Sequence, residues 1–232
     1  MLLVNVLVVA VCALVYELLC GTLASYLLGD AVLQFSLVLG TYLFAMGVGA
    51  WASKSLEPRA ATRYVQTELA LALVGGLSVP LLLAGVAAHV PLRPALHALV
   101  FVVGALVGVE LPLLVKILRE PPADTGSTES PADAPDAPKA QSFGELVARA
   151  LAYDYVGALA ASLLFPLLLV PRLGLVRTSV VTGAVNAVVA LSATFVVRVE
   201  RPKLVRVLGL FILAALAVTF VRGEAWVSAA TD

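Results

Sequence analysis

Apolar residues fill long unbroken runs in this chain, and charged residues gather in short clusters between them. A helix on the surface of a water-soluble domain carries its apolar positions on one stripe, every three to four residues. Here the runs are leucine, valine and alanine on every face. A helix needs about 20 such residues to cross the hydrocarbon of a bilayer. Segments of about that length lie near 2–28, 31–53, 64–88, 94–118, 148–171, 175–197 and 203–221. The pattern predicts an all-α, polytopic membrane bundle of about seven transmembrane helices.

The connections carry stop and turn signals. "LLGDAVLQ" is short enough to make spans one and two a tight hairpin, and "SKSLEPRAATR" separates spans two and three. Prolines in "HVPLRP" and "VPRLGLVR" suit a helix that stops and restarts. "RVERPK" joins spans six and seven. The stretch "EPPADTGSTESPADAPDAPKAQ" is too polar to bury an apolar core and reads as a disordered loop. The chain therefore divides into a four-span half at 1–118, a cytoplasmic loop at 119–142, a three-span half at 143–221 and a tail at 222–232. "SFGELVARALAYDY" opens on a serine cap candidate and an amphipathic turn. It is expected to lie along the interface before span five enters the bilayer.

Lysine and arginine set the orientation. Loops two–three, four–five and six–seven with their flanks hold Lys54, Arg59, Arg63, Lys116, Arg119, Lys139, Arg149, Arg198, Arg201, Lys203 and Arg206. The other side holds Arg93, Arg172, Arg177 and Arg222. The positive-inside rule places the first group, and with it the N-terminus, in the cytoplasm. Seven crossings then leave the C-terminus outside. "MLLVNVLVVAVCALVYELLC" lacks a basic n-region and reads as a retained span.

Composition agrees: 61% of the 232 residues are hydrophobic and 13% charged, with a mean hydropathy of +1.03. A soluble domain could not cover its surface from so few polar residues. Net charge is zero, so no electrostatic case for nucleic acid arises. Cys12 and Cys20 would stand roughly 12 Å apart along one helix, too far for a disulfide within it. They have no metal-site spacing and read as small apolar residues of a membrane helix.

Four carboxylates interrupt the spans: Glu17, Glu68, Glu110 and Asp154. An ionised carboxylate facing lipid costs roughly 2.5–3.5 kcal/mol on the insertion scale. Each is therefore expected to face the bundle, to pair with a base or donor, or to hold a proton. Glu68, near the cytoplasmic end of its span, is expected to be a structural or interfacial acid within reach of Arg63. Glu110 lies two residues before Pro112. It reads either as a polar site at a helix break or as a partner of Lys116.

Glu17 and Asp154 share a local pattern. "ALVYELLCGTLAS" at 13–25 and "ALAYDYVGALAAS" at 150–162 align Tyr16 with Tyr153, Glu17 with Asp154 and Ser25 with Ser162. Chance similarity among alanine- and leucine-rich helices is the competing account; a parallel internal repeat would let two tyrosine–acid pairs meet in one polar cavity. Small residues in "GTLAS", "GVGAWAS" and "GALAAS", Gly47 and Gly49 among them, suit close helix contacts.

These residues carry a resemblance. "VYELLCGTLASYLLGDAVLQFSLVLGTYLFAMGVGAWAS", "ELALALVGGLSVPLLL", "GALVGVELPLLVKIL" and "YDYVGALAASLLFPLLLVPRLGL" resemble the membrane region of bacterial membrane-bound spermidine synthases, the polyamine aminopropyltransferases. The resemblance covers nearly the whole chain. It implies a multi-pass protein of the bacterial plasma (inner) membrane. In that family a soluble domain with a methyltransferase-like fold follows and uses decarboxylated S-adenosylmethionine. This chain ends at "RGEAWVSAATD" and shows no strand leading through a glycine-rich turn into a helix. No catalytic residue is carried over, and that cofactor is implied only for a catalytic partner domain. Three functions follow as expectations. The first is a membrane module that anchors or regulates polyamine synthesis, with an aminopropyltransferase domain or subunit as partner. In it Glu17, Asp154, Tyr16, Tyr153 and Glu110 are candidates to bind a cationic amine. The second is an independent transporter for a small cation or polyamine, and the third a scaffold whose acids only fix packing.

Overall fold

The structure, a computed structural model, describes residues 2–119 and 143–222. The polar stretch expected to be disordered, and the tail beyond Arg222, lie outside them. Among the described residues every regular element is helical. The helices are α1 (Leu2–Leu28), α2 (Ala31–Ala52), α3 (Ala60–Gly76), α4 (Ser78–Ala87), α5 (Leu92–Arg119), α6 (Phe143–Leu164), α7 (Val170–Val196) and α8 (Pro202–Val221). A 3₁₀ segment, Ser53–Arg59, joins α2 to α3, and a π turn, Phe165–Leu169, joins α6 to α7.

The first hairpin forms as the sequence predicts. Gly29 and Asp30 both adopt positive φ, 71° and 45°, which reverses the chain in two residues. The Asp30 carboxylate then accepts the Leu33 backbone N–H at 3.1 Å, capping α2.

Helix α1 occupies the centre. Cys12, Val15, Tyr16, Leu19, Cys20 and Leu23 are buried, and α1 packs against α2, α5, α6 and α7. Around it, small residues bring backbones together. Gly104 sits on Tyr42 and Ala45, Gly108 on the Met46 carbonyl and Gly49 on the Ala105 carbonyl. The pairs 42–104 and 46–108 advance together, so α2 and α5 run parallel. Gly183 of α7 meets Ala72 and Gly76 of α3, while the Glu200 N–H donates to Thr62 Oγ1 at 3.0 Å. These two contacts make α3 and α7 antiparallel. Gly209 lies on Leu69, and Leu216 on Gly76, so α8 runs parallel to α3. Such approaches suit a medium in which helices gain from close packing and not from excluding water.

The outer faces remain apolar. Phe44 and Trp51 on α2, Leu159 on α6, Leu167 in the π turn, Phe195 on α7 and Phe211 on α8 are all exposed. Four continuous segments are long and apolar enough to span a membrane: Val4–Leu28, Ala31–Leu56, Leu92–Leu118 and Pro202–Val221. The continuous stretch Gly144–Val196 also qualifies, as do α3 and α4 together, which bend by 40° where they meet.

Three expectations change and one holds. Residues 64–88 are not one straight helix; the chain breaks at Leu77, between α3 and α4. Pro112 does not break α5, which runs through it. A single proline removes only the donor for the Gly108 carbonyl, and neighbouring turns hold the rest. The segment from Phe143 is no separate interfacial element. It is the first turn and a half of α6, held by an Arg149–Glu145 ion pair at 3.0 Å. The stop and restart expected in "VPRLGLVR" is present, although the chain first passes Pro166. Pro166 cannot donate to the Ser162 carbonyl, and the helix widens into the π turn. The break comes at Gly174, whose φ of 72° and ψ of 174° leave the helical region.

Candidate functional site

Helices α1, α2, α3, α5 and α6 enclose a cavity of about 70 Å³. Its walls are apolar, with Val6, Ala10 and Ala13 from α1, Met46 from α2, and Val107 and Leu114 from α5. Three polar side chains join them: Tyr64 from α3, Glu110 from α5 and Asp154 from α6. The volume accommodates about two water-sized groups.

The polar groups are sparsely satisfied. Tyr64 is 1% exposed and its hydroxyl makes no formed hydrogen bond. Glu110 is 3% exposed, with Oε1 unpartnered. One turn beyond Tyr64, Glu68 is fully buried, and neither of its oxygens has a formed hydrogen bond. Tyr64 and Glu68 approach each other on the same face of α3, short of well-formed hydrogen-bond geometry. Glu68 and Glu110 lie close enough to repel each other when charged, and Asp154 is within electrostatic reach of Glu110. Asn186 on α7 is also buried with Oδ1 unpartnered. Buried polar atoms ordinarily find partners, so these oxygens are the least satisfied polar groups among the cavity's neighbours.

The predicted residues separate. Glu110 and Asp154 meet in the cavity. Glu17 is half-buried on α1 and does not line it. Tyr16 is fully buried, its ring against Gly75 and its hydroxyl donating to the Leu71 carbonyl at 3.4 Å. Tyr153 is 39% exposed and stands outside the cavity. The two tyrosine–acid motifs thus occupy unlike surroundings, because α1 is central and α6 peripheral. Of the structural or interfacial role expected for Glu68, the structure removes the interfacial part and the pairing with Arg63. The Arg63 guanidinium donates to Gln66 Oε1 at 3.0 Å, and Glu68 turns into the core on the other side of α3.

Tyr64 was not singled out from sequence, although its i,i+4 spacing to Glu68 was a readable signal. Tyr42 was missed as well. Its hydroxyl donates to the Ala13 carbonyl at 2.8 Å, within electrostatic reach of Glu17, Glu110 and Asp154. Both cysteines are free and buried. Among the described residues, no group of three or more histidine, cysteine, aspartate or glutamate side chains is placed to hold a metal ion.

The fold and this cavity define a class: an all-helical protein with several helices long and apolar enough to cross a membrane and acids drawn into its interior. Known proteins narrow the class. The chain is 44% identical over 202 residues to a polyamine aminopropyltransferase of Leptospira interrogans, a match that covers 87% of this chain and 37% of that one. Polyamine aminopropyltransferase 2 of Ralstonia nicotianae is 45% identical over 202 residues, 86% of this chain and 36% of its own. Polyamine aminopropyltransferase 1 of Streptomyces coelicolor is 39% identical over 230 residues, 97% of this chain and 40% of its own. The chain is related to a part of these proteins and spans less than half the length of the curated relatives it matches. No family model matches it, and no solved structure does.

Proposed function

We propose that this chain is the membrane-embedded module of a polyamine aminopropyltransferase system, and that its inter-helix cavity receives the ammonium group of a cationic amine. The observation that carries the reading is the match of nearly the whole chain to about a third of several such proteins, in a helical bundle whose outer faces are apolar. The module would anchor or regulate polyamine synthesis in the bacterial inner membrane. Decarboxylated S-adenosylmethionine would belong to a catalytic domain or subunit joined to it.

Seven crossings fit this reading. Gly174 divides the stretch from Gly144 to Val196 into pieces of about 45 and 33 Å, each long enough to span, and the bent α3–α4 pair would make one crossing. The Arg59–Glu200 ion pair at 3.1 Å joins the two basic connections at one end of the bundle. The positive-inside rule makes that end cytoplasmic, with the N-terminus. A parallel repeat of Tyr16–Glu17 and Tyr153–Asp154 would agree with both acids lying within electrostatic reach of Tyr42.

A cationic amine suits the cavity chemically. An ammonium group donates hydrogen bonds and carries positive charge, and Tyr64, Glu110 and Asp154 offer acceptors in an apolar pocket. The test uses the full chain in sealed proteoliposomes with labelled spermidine. Binding that falls at least about tenfold in Glu110→Gln and Asp154→Asn, yet persists in Glu17→Gln, supports the site; charge-assisted hydrogen bonds contribute about 1.5–3 kcal/mol each. Co-purification of a soluble aminopropyltransferase without spermidine flux supports the module. Flux abolished by Glu110→Gln would instead favour a transporter, a reading that the interior acids alone recommend. Unchanged binding, flux and partner activity in all three variants would leave the acids with packing only.

A further inference from the structure

We infer that the outward groove between α3 and α8 is a binding site for an anionic phospholipid, with an acyl chain in the groove and the phosphate at its basic end. The inference rests on the reading that the chain is embedded in a bilayer. The groove encloses about 340 Å³ between α3, with Gln66, Leu69 and Leu73, and α8, with Leu204, Leu208 and Phe211. It runs along α8 from Leu204 to Ala215, about 16 Å of helix. That is the depth of one leaflet, half of a hydrocarbon core of about 30 Å.

The two ends of the groove differ in charge. Because α3 and α8 run parallel, their N-termini lie at the same end. Arg63 stands there, tied by its 3.0 Å hydrogen bond to Gln66, itself a lining residue. Arg201 and Lys203 are exposed at the start of α8. Arg206 faces away, donating to Thr194 Oγ1 at 3.0 Å and lying over the Phe195 ring at 4.0 Å. Glu200, the acid just before α8, is engaged by Arg59 at 3.1 Å. Toward the other end, neither α3 beyond Leu73 nor α8 beyond Ala215 carries an ionisable residue. A second copy inserted in the same orientation would bring the same cations to this end, and like charges would oppose it. A phospholipid needs that asymmetry: apolar length ending in cations at headgroup depth. Basic side chains near the membrane surface contribute about 1 kcal/mol each toward anionic lipid, or about fivefold in affinity.

The experiment is retention of lipid by the full chain purified in detergent, read by native mass spectrometry after incubation with equal phosphatidylglycerol and phosphatidylcholine. The wild type is expected to retain phosphatidylglycerol preferentially. Arg63→Gln with Arg201→Gln should lower that retention about 25-fold and leave phosphatidylcholine unchanged, whereas Arg222→Gln should change neither. Ala70→Trp, which fills the floor of the groove, should displace both lipids. Equal retention of the two lipids, or a preference untouched by the double variant, would overturn the site. So would disulfide-linked dimers of Leu208→Cys in phosphatidylglycerol vesicles, since a second copy would then occupy the groove. Extraction of the chain from membranes by alkaline carbonate would instead defeat the bilayer reading, a failure distinct from loss of lipid preference.

Discussion

Gly108 faces the Met46 carbonyl so closely that a Cβ at that position would have no room, and the parallel seam of α2 and α5 depends on this contact. Gly108→Ala is expected to lower stability by about 1–3 kcal/mol, the usual cost of overpacking against something that cannot yield. Gly47 is the control. It lies on the same helix as Met46 with open space around it. Gly47→Ala should be neutral or stabilising by up to about 1 kcal/mol through helix propensity. Thermal unfolding of detergent-purified protein, followed by size-exclusion fluorescence, separates the two.

Tyr42 links α2 to the central helix through its 2.8 Å hydrogen bond to the Ala13 carbonyl. Tyr42→Phe keeps the ring and loses the donor. We expect a loss of about 0.5–1.5 kcal/mol, measured by equilibrium unfolding in mixed micelles. A larger loss would mean that the hydroxyl supports more than this one bond.

Glu68 is fully buried with neither oxygen hydrogen-bonded, so as packing material it is a poor choice. Glu68→Met preserves volume and removes the polar atoms. A buried polar group left unsatisfied costs about 1–3 kcal/mol, which an apolar group of similar size relieves. The expected result is an unchanged or raised melting temperature. If spermidine binding falls in the same variant, the carboxylate is retained for its chemistry; a drop in melting temperature would instead mean that it finds a structural partner in the folded protein.

Gly174 holds φ at 72° in the turn that ends the α6–π segment. A Cβ there meets no neighbouring atom, so the cost of Gly174→Ala is conformational alone. We expect about 1–3 kcal/mol. Gly174→Asn should cost about as much as Gly174→Ala, because ψ of 174° places the residue outside the left-handed helical region that admits asparagine, in one that only glycine enters freely. A loss confined to one of the two variants would contradict a backbone origin.

Much of the architecture was legible in residue order. The runs of leucine and valine located the long helices, "LLGDAV" located the first hairpin, and the need to shield carboxylates from lipid anticipated that Glu110 would turn inward. The misreadings have physical causes. Proline next to Glu110 reads as a helix break, yet α5 passes through Pro112, because packing in a bundle holds the turns around one missing donor. The interfacial reading of Glu68 came from its distance along α3 to Arg63. Distance along a helix says nothing about which way around it a side chain points.

That last point marks the boundary. By itself the sequence determined that the chain is helical, that its helices are long and apolar enough to cross a membrane, and that a few acids interrupt those apolar runs. Only the tertiary structure decided which acids meet: Glu110 with Asp154 and Tyr64, not with Glu17, and Tyr16 buried while Tyr153 looks outward. A helix that is apolar on every side carries no stripe to announce its inner face. Its orientation is set by where Gly49, Gly104, Gly108 and Gly183 let neighbouring backbones come close, and those choices exist only between helices.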